Sequence, residues 1–463
     1  MKFALPLQRS PYSFYGGQTM GIDLGIDRIT RDLSGAMWIY SQLPDDTSSA
    51  TSIHRHFQRE IRSEVSLIDR LAMYAALPLA PIVIVVLSTV FTVLNGRAIR
   101  QRTGKSIVRQ VGEQIWLATR FAILPPWYYI FELHDDNKRS HAGEYLNRFE
   151  MKAGLYRFLR DYNGGLPIPA ERSTLCIKDK TRFMARCREH GVTTAPILWV
   201  VEKEQIIPID WNESDLPEFD LFVKPLNGQG GRGAMRWDYL DSGQFLCNDG
   251  RSATGDQMLE FLQQDSKHYD NAYIVQPRLV NHPEIADLAD GTLATVRVMS
   301  CRNEVDGYEV TNAVFRMTLN NTTIVDNYHA GGIAANVNIQ TGELGKGTRG
   351  AWGVVTDGWY ERHPETNATI LHRKLPCWAE MINFVQNAHS RLFPDQVVIG
   401  WDVALLESGL CLIEANKAPD LDIIQRVKGG PVGNERLGRL LEFNLRRTVV
   451  AKYASPGMHP LCK

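Results

Sequence analysis

Gly400-Trp-Asp402-Val-Ala-Leu-Leu-Glu-Ser-Gly-Leu-Cys-Leu-Ile-Glu414-Ala-Asn416 is two short apolar runs joined by a turn at Glu407-Ser408-Gly409. The pattern predicts a β-hairpin with Asp402 on one strand and Glu414 and Asn416 on the other. Residues two apart on a strand share a face. Two carboxylates and an amide oxygen on one face suit Mg2+, which takes oxygen ligands and usually holds substrate phosphates as well. The same triplet also reads as an ordinary solvated strand face, so the rest of the chain has to decide.

The chain has 463 residues, enough for two or three domains, and its net charge of −1 implies no polyanionic partner. Nucleic-acid motifs are absent. Its seven cysteines include no Cys-x-x-Cys pair, which argues against a zinc site or a disulfide frame and for a reducing, cytosolic compartment.

Residues 1–70 form an N-terminal region. Residues 1–52 are rich in Gly, Ser, Thr and Asp and are expected to be loop or weakly ordered, and 53–70 helical. Residues 71–94 carry no charge, and about 24 residues can span a hydrocarbon core that needs roughly 20. This is a membrane-helix candidate; Pro78 and Pro81 also allow a buried helix of a soluble domain. The basic residues Arg97, Arg100, Arg102, Lys105 and Arg109 would place its C-terminal side in the cytoplasm. Arg55, Arg59, Arg62 and Arg70 oppose that orientation and leave a re-entrant or interfacial helix open. Residues 95–165 read as a basic, aromatic helical region. Trp116, Phe121, Trp127, Tyr128, Tyr129 and Phe131 suit an interfacial belt or a core equally. From Ser173 onward helix and strand signals alternate.

Thr103-Gly104-Lys105-Ser106 resembles the end of a P-loop, but Ile99 stands where a glycine is required, so it reads as a basic turn. Leu221-Phe-Val-Lys224-Pro-Leu-Asn-Gly228-Gln-Gly230-Gly231-Arg-Gly233 is a strand entering a glycine loop. No amphipathic helix follows, so a Rossmann turn is disfavoured and an antiparallel hairpin with a glycine tip fits better. Such a tip lets backbone amides approach phosphate, and Lys224 adds a point charge. Tyr273–Gln276 is an apolar strand leading through Leu279 to Glu284, a linker suited to an adenine edge and ribose hydroxyls. Arg297 and Arg316 each interrupt an apolar strand, where a charge needs a partner. Asp326-Asn327-Tyr-His329-Ala-Gly331-Gly332 offers an amide, an imidazole and a glycine turn.

Lys180, Lys224, the glycine loop, the linker, Arg297, Asn-x-x-x-Gly-Gly and Asp…Glu-x-Asn stand in the order of the ATP-grasp superfamily, over roughly 173–430. The chain resembles its glutamate-ligase branch and the sugar-transfer-associated ATP-grasp family of bacterial surface-polysaccharide functions. The resemblance implies an α+β fold: subdomain 1 (166–280) and subdomain 2 (281–455) clasp ATP after a helical N-terminal region, for which the uncharged stretch 71–94 is what suggests membrane association. It implies ATP and Mg2+ as cofactors. Lys180, Lys224, Gly228, Gly230, Gly231, Gly233, Gln276, Leu279 and Glu284 would hold the nucleotide, and Asp402, Glu414 and Asn416 the metal. Arg297, Arg316 and Lys224 would be catalytic; Asn327, His329, Gly331 and Gly332 would line the acceptor pocket. His329 also reads as a structural histidine bonded to a loop carbonyl. The implied reaction is carboxylate–amine ligation through an acyl-phosphate on small-molecule substrates, at the inner face of the cell membrane. A kinase on the same fold and a non-catalytic nucleotide-binding scaffold are the alternatives. Three departures stand out: Gln276 replaces the common hinge acid, Gly400-Trp401 replaces the arginine usual before the first metal aspartate, and no βαβ domain precedes Lys180.

Overall fold

The computed structural model describes residues 32–166, 176–177, 179–203, 205–211, 216–227, 231–289, 291–319, 324, 328, 332–349 and 358–454. Its N-terminal part is helical: α1 (32–40), α2 (Ser49–Arg59), α3 (Leu67–Ala76), α4 (Ala80–Thr103), α5 (Ile107–Phe121), α6 (Pro125–Ile130), α7 (Asp136–Ser140) and α8 (Tyr156–Asp161). The expectation of loop over 1–52 is corrected at 32–40 and from Ser49, because Leu33, Met37, Trp38, Ile53 and Phe57 bury one face of each helix. Ser48 caps α2 through Thr51 N–H, and Ser66 caps α3 through Asp69 N–H.

The apolar stretch 71–94 is not one helix. It breaks between Ala76 and Ala80, and Pro81 falls in the first turn of α4, where a missing N–H costs nothing. Among the described residues α4 is the one helix long and apolar enough to cross a membrane. Gly104, left-handed at φ 73°, ends α4, and Ser106 starts α5. Lys105 in that turn is buried rather than solvated, bonded to Glu113 at 2.9 Å and Asp136 at 2.6 Å. Of the aromatics, Trp127, Tyr128, Tyr129 and Phe131 are core, and Trp116 is exposed.

Two seven-stranded sheets follow, and every strand pair in them is antiparallel. The first has the order β2-β1-β7-β3-β4-β5-β6. It comprises β1 (Trp199–Glu202), β2 (Gln205–Pro208), β3 (Leu221–Pro225), β4 (Met235–Tyr239), β5 (Gln244–Cys247), β6 (Ser252–Thr254) and β7 (Tyr273–Pro277). Helix α9 (Lys180–Glu189) precedes it, capped by Asp179, and α10 (Gly255–Tyr269) opens on a Thr254/Gln257 capping box. The short α11 (Pro283–Ala286) lies in the passage between the sheets.

The second sheet has the order β12-β11-β10-β9-β8-β13-β14. Its strands are β8 (Thr295–Arg302), β9 (Tyr308–Met317), β10 (Ile333–Val337), β11 (Leu344–Arg349), β12 (Trp359–Tyr360), β13 (Val398–Leu406) and β14 (Gly409–Asn416). Helix α12 (Trp378–Leu392) covers one face in a core with Ile399, Trp401 and Val403. The other face joins the N-terminal helices. Met299, Val314, Ala334 and Val398 share one core with Phe57, Tyr128 and Phe158, and with α13 (Leu421–Lys428) and α14 (Arg436–Ala454). Every residue of β13 is buried, as a central strand with both faces covered requires.

Candidate active site

Strand register assembles the site. Asp402 pairs with Arg297 on β8 and with Glu414 on β14, so three side chains stand in one cross-strand row. Arg297 donates from Nε to Asp402 Oδ1 and from Nη2 to Oδ2 at 3.0 Å. Arg316, one strand further out, reaches Oδ2 at 2.9 Å and anchors its Nε on Thr295 Oγ1 at 3.1 Å. Burial alone would raise the Asp402 carboxyl, but the two guanidiniums outweigh it and hold it well below the usual carboxylate range. Glu414 goes the other way: burial raises it, and the facing Asp402 adds to that. Asn416 Nδ2 donates to Glu414 Oε1 at 3.2 Å.

The first sheet and the helix ahead of it contribute the lysines. Lys180, at the start of α9, donates to the carbonyls of Pro225 and Leu226, both at 2.9 Å, and so clamps the chain entering the glycine loop. Burial lowers its pKa, against the pull of Glu414. Lys224, half-buried on β3, is lowered by burial to about 8; Glu414 opposes that shift and Lys180 adds to it. The Glu414 carboxylate of the second sheet therefore lies near both Lys224 of the first sheet and Lys180 of α9. β3 and β4 pair antiparallel from Leu221–Trp237 to Val223–Met235, so the glycine segment is a hairpin tip and not a Rossmann turn. Gly231 and Gly233 are both left-handed, with φ of 75° and 72°, a conformation natural to glycine.

Gln276 is buried, and its amide donates to Pro196 O at 2.9 Å and Ala195 O at 3.4 Å. Its N–H groups thus tie the linker strand to the chain before β1. Leu279 packs into a small cluster with Ala195, Leu293, Ala404, Cys411 and Ile413, beside Lys224. The sequence reading missed Cys411 and Ile413 there. Cys411, opposite Ala404, shares a face with Glu414, opposite Asp402, only because the register shifts between Asp402 and Val403, and no local alternation in the sequence signals that shift. Glu284 is exposed on α11, and its carbonyl accepts from Arg373 at 3.2 Å. Gly332 is buried just ahead of β10. Gly228, Gly230, Asn327, His329 and Gly331 lie outside the described residues.

The absent arginine before Asp402 has a steric cause. A Cβ at Gly400 would lie 2.7 Å from Pro419 Cβ and 3.2 Å from Arg297 Cδ. Arg297 occupies the space a residue-400 side chain would need, and it supplies a guanidinium from the neighbouring strand. Behind the site, Trp401 Nε1 donates to Ser300 Oγ at 2.7 Å, which also bonds His389 Nδ1 at 2.7 Å.

The donor set fits a hard divalent cation. Asp402 and Glu414 face one another in a buried site, Glu414 is destabilised as an anion by that approach, and Asn416 adds an amide oxygen. Among the described residues no group of three His, Cys, Asp or Glu gathers to hold a metal. Two carboxylates and an amide leave positions for phosphate oxygens, as Mg2+ prefers.

A comparison with protein families matches residues 160–437 to the family described as sugar-transfer associated ATP-grasp, and the chain belongs to that family. No curated protein matches it. Among solved structures, an L-amino acid ligase from Bacillus licheniformis has 12% identity and a TM-score of 0.34, over 60% of this chain and 50% of that one. A D-alanine-D-alanine ligase from Helicobacter pylori has 11% identity and a TM-score of 0.30, over 60% of this chain and 59% of that one. One from Bacillus anthracis complexed with ATP has 16% identity and a TM-score of 0.33, over 61% and 70%. The chain thus spans between half and about 70% of those proteins' lengths.

Proposed function

We propose that the protein is an ATP-dependent carboxylate–amine ligase. The reading rests on one juxtaposition: the Asp402–Glu414 row of the second sheet, held by Arg297 and Arg316, lies beside Lys224 of the first sheet and Lys180 of α9. Phosphate and cation would meet where the two sheets face. Lys224 holds phosphate by charge. Lys180 sits where it can exchange the Pro225 and Leu226 carbonyls for phosphate oxygens. Glu414, Asp402 and Asn416 would hold Mg2+, which when bound neutralises phosphate charge. Catalysis in such a site is positioning and charge neutralisation.

A substrate carboxylate oxygen attacks the terminal phosphorus of ATP, and ADP leaves with the bridging electron pair. Arg297 and Arg316 hold their N–H groups where negative charge gathers on the acyl-phosphate. An amine nitrogen then attacks the acyl carbon, phosphate departs, and the amine loses its proton to solvent or to His329. Amino-acid decoration of a surface sugar, at the inner face of the cell membrane, is the biological setting we infer from the family's description. Incubation with Mg-ATP, candidate amino acids and hydroxylamine tests the chemistry. An ATP-dependent hydroxamate supports ligation, whereas a stable phosphorylated hydroxyl product without hydroxamate identifies a kinase and overturns it.

A further inference from the structure

Helix α4 turns three uncharged polar residues inward and a row of aliphatic ones outward. The side chains it turns into the protein are Ala80, Ile84 and Ile99 together with Ser88, Thr92, Asn95 and Gly96, all buried. Those it turns outward are Ile82, Val85, Val86, Val90, Val93 and Leu94, all exposed, with Val93 at 77%. Towards its C-terminal half the inward face is hydrogen-bonded to α5 and α6. Thr92 Oγ1 accepts from Gln114 Nε2 at 2.7 Å and pairs with Tyr129 OH at 3.2 Å, and Gly96 O accepts from Gln110 Nε2 at 3.1 Å. A Cβ at Gly96 would meet Ile107 at 2.8 Å, so α4 and α5 approach closely there. Polar and small residues between helices, with aliphatic residues outside, is the pattern that lipid selects and water does not. Even Thr89 on the outer face turns its hydroxyl back to Val85 O, at 2.9 Å.

The neighbouring helices extend the patch. Leu67, Ile68 and Leu71 of α3 and Val108 and Trp116 of α5 are also exposed. So many exposed apolar side chains on adjoining helices exceed the scattered few of a soluble monomer and mark an interaction surface.

Charge and length together choose the occupant. No Asp or Glu occurs from Arg70 to Gly112, while Arg97, Arg100 and Arg102 are exposed at the far end of α4. Arg59 is exposed, and Arg62 and Arg70 half-buried, ahead of it. Arginines on both flanks place both ends on one side of a bilayer. From Ile82 to Leu94 the outer face rises only roughly 18 Å at 1.5 Å per residue, against a hydrocarbon core of about 30 Å. The opposite face is already packed into the protein.

We propose that α3, α4 and α5 form an in-plane docking face that sinks one side into an anionic leaflet without crossing it. This deepens the membrane placement proposed above and rests on it, and binding and attitude are tested separately. Full-length protein should float with phosphatidylglycerol-containing vesicles, and brominated lipid should quench a fluorescence component that Trp116→Phe removes. Val86→Asp with Val90→Asp should weaken vesicle binding on the order of a hundredfold or more while nucleotide affinity stays unchanged. Arg97→Gln, Arg100→Gln and Arg102→Gln combined should cost roughly a hundredfold on phosphatidylglycerol vesicles and little on phosphatidylcholine vesicles. No flotation, or a dimer that the aspartates dissolve without any vesicle binding, overturns the membrane placement and the docking face together. For attitude, Arg59→Cys and Gln101→Cys should both resist a membrane-impermeant thiol reagent in intact cells and react after lysis. Reaction of one alone before lysis means a spanning helix and overturns the in-plane face while leaving membrane placement standing.

Discussion

Arg297 and Asp402, cross-strand neighbours on β8 and β13, form a two-pronged ion pair to which Arg316 adds a third contact on Oδ2. The pair keeps Asp402 anionic in a buried place, and any cation there must share its oxygens with guanidinium. Arg297 is thus placed to register the arrival of metal and phosphate together.

Arg297→Met should reduce turnover by about a hundredfold or more, since it removes a donor aimed at developing charge. Arg316 still partners Asp402, so the fold should survive with a loss of roughly 1–3 kcal/mol. Arg297→Lys should not restore turnover, because an ammonium cannot make the two-pronged contact. Single-turnover kinetics and urea unfolding check both statements.

Lys224 predicts a pH dependence. Its ammonium is lowered by burial to about 8, so ATP affinity should be full below that value and decline as the pH rises through it. Lys224→Arg, charged throughout, should bind with no such decline. Lys224→Met should bind about tenfold or more weakly even at neutral pH. Calorimetric titration from about pH 6.5 to 9.5 gives the measurement.

Glu414→Gln with Asn416→Ala should abolish turnover and the Mg2+ dependence of nucleotide binding, while metal-free nucleotide binding persists through the lysines. Retained wild-type turnover in this double variant would remove the metal assignment.

Gly400→Ala places a methyl 2.7 Å from Pro419 Cβ and against the Arg297 stem. Overpacking of this kind costs roughly 1–3 kcal/mol. Thermal unfolding should shift down, and turnover should fall further than stability because Arg297 must move.

His389 is pushed down to about 3 by burial, with Gln396 O as its second ring partner at 3.1 Å. Its folded pKa lies below the unfolded value, so the unfolded chain binds the extra proton between about pH 6.5 and 3. The stability His389 contributes is present above that window and is lost on acidification, at roughly 1.4 kcal/mol per pH unit. His389→Gln should be less stable at neutral pH but show a shallower acid slope in urea unfolding.

The sequence carried the hairpin, the closeness of Asp402, Glu414 and Asn416, and the row of strands, because alternation and glycine placement are local. It could not separate core from belt in Trp127–Phe131, since both environments take the same aromatics and only tertiary packing distinguishes them. Nor could it foresee that Gly400 is empty so that Arg297 can fill it: those residues meet through register, across about a hundred positions of chain. The split of 71–94 was legible in Pro78 and Pro81 only with the rule that proline favours a helix start. The inward set of Ser88, Thr92 and Asn95 was visible at helical spacing, but which face is inward is settled by α5.

The N-terminal helices and the second sheet, which carries Asp402 and Glu414, share a single hydrophobic core. A protein trimmed to begin near Ser173, though it would keep every predicted phosphate and metal ligand, would bare Val314, Ala334, Ile424 and Leu441 to water. Such a fragment should aggregate rather than work as a free-standing enzyme, and fusions or deletions that respect sequence motifs alone will cut through the molecule's middle. The helices are also a mount packed directly on that sheet. On the proposed membrane placement, any acceptor, soluble or lipid-borne, would have to present its reacting group at the height above the leaflet that this packing sets.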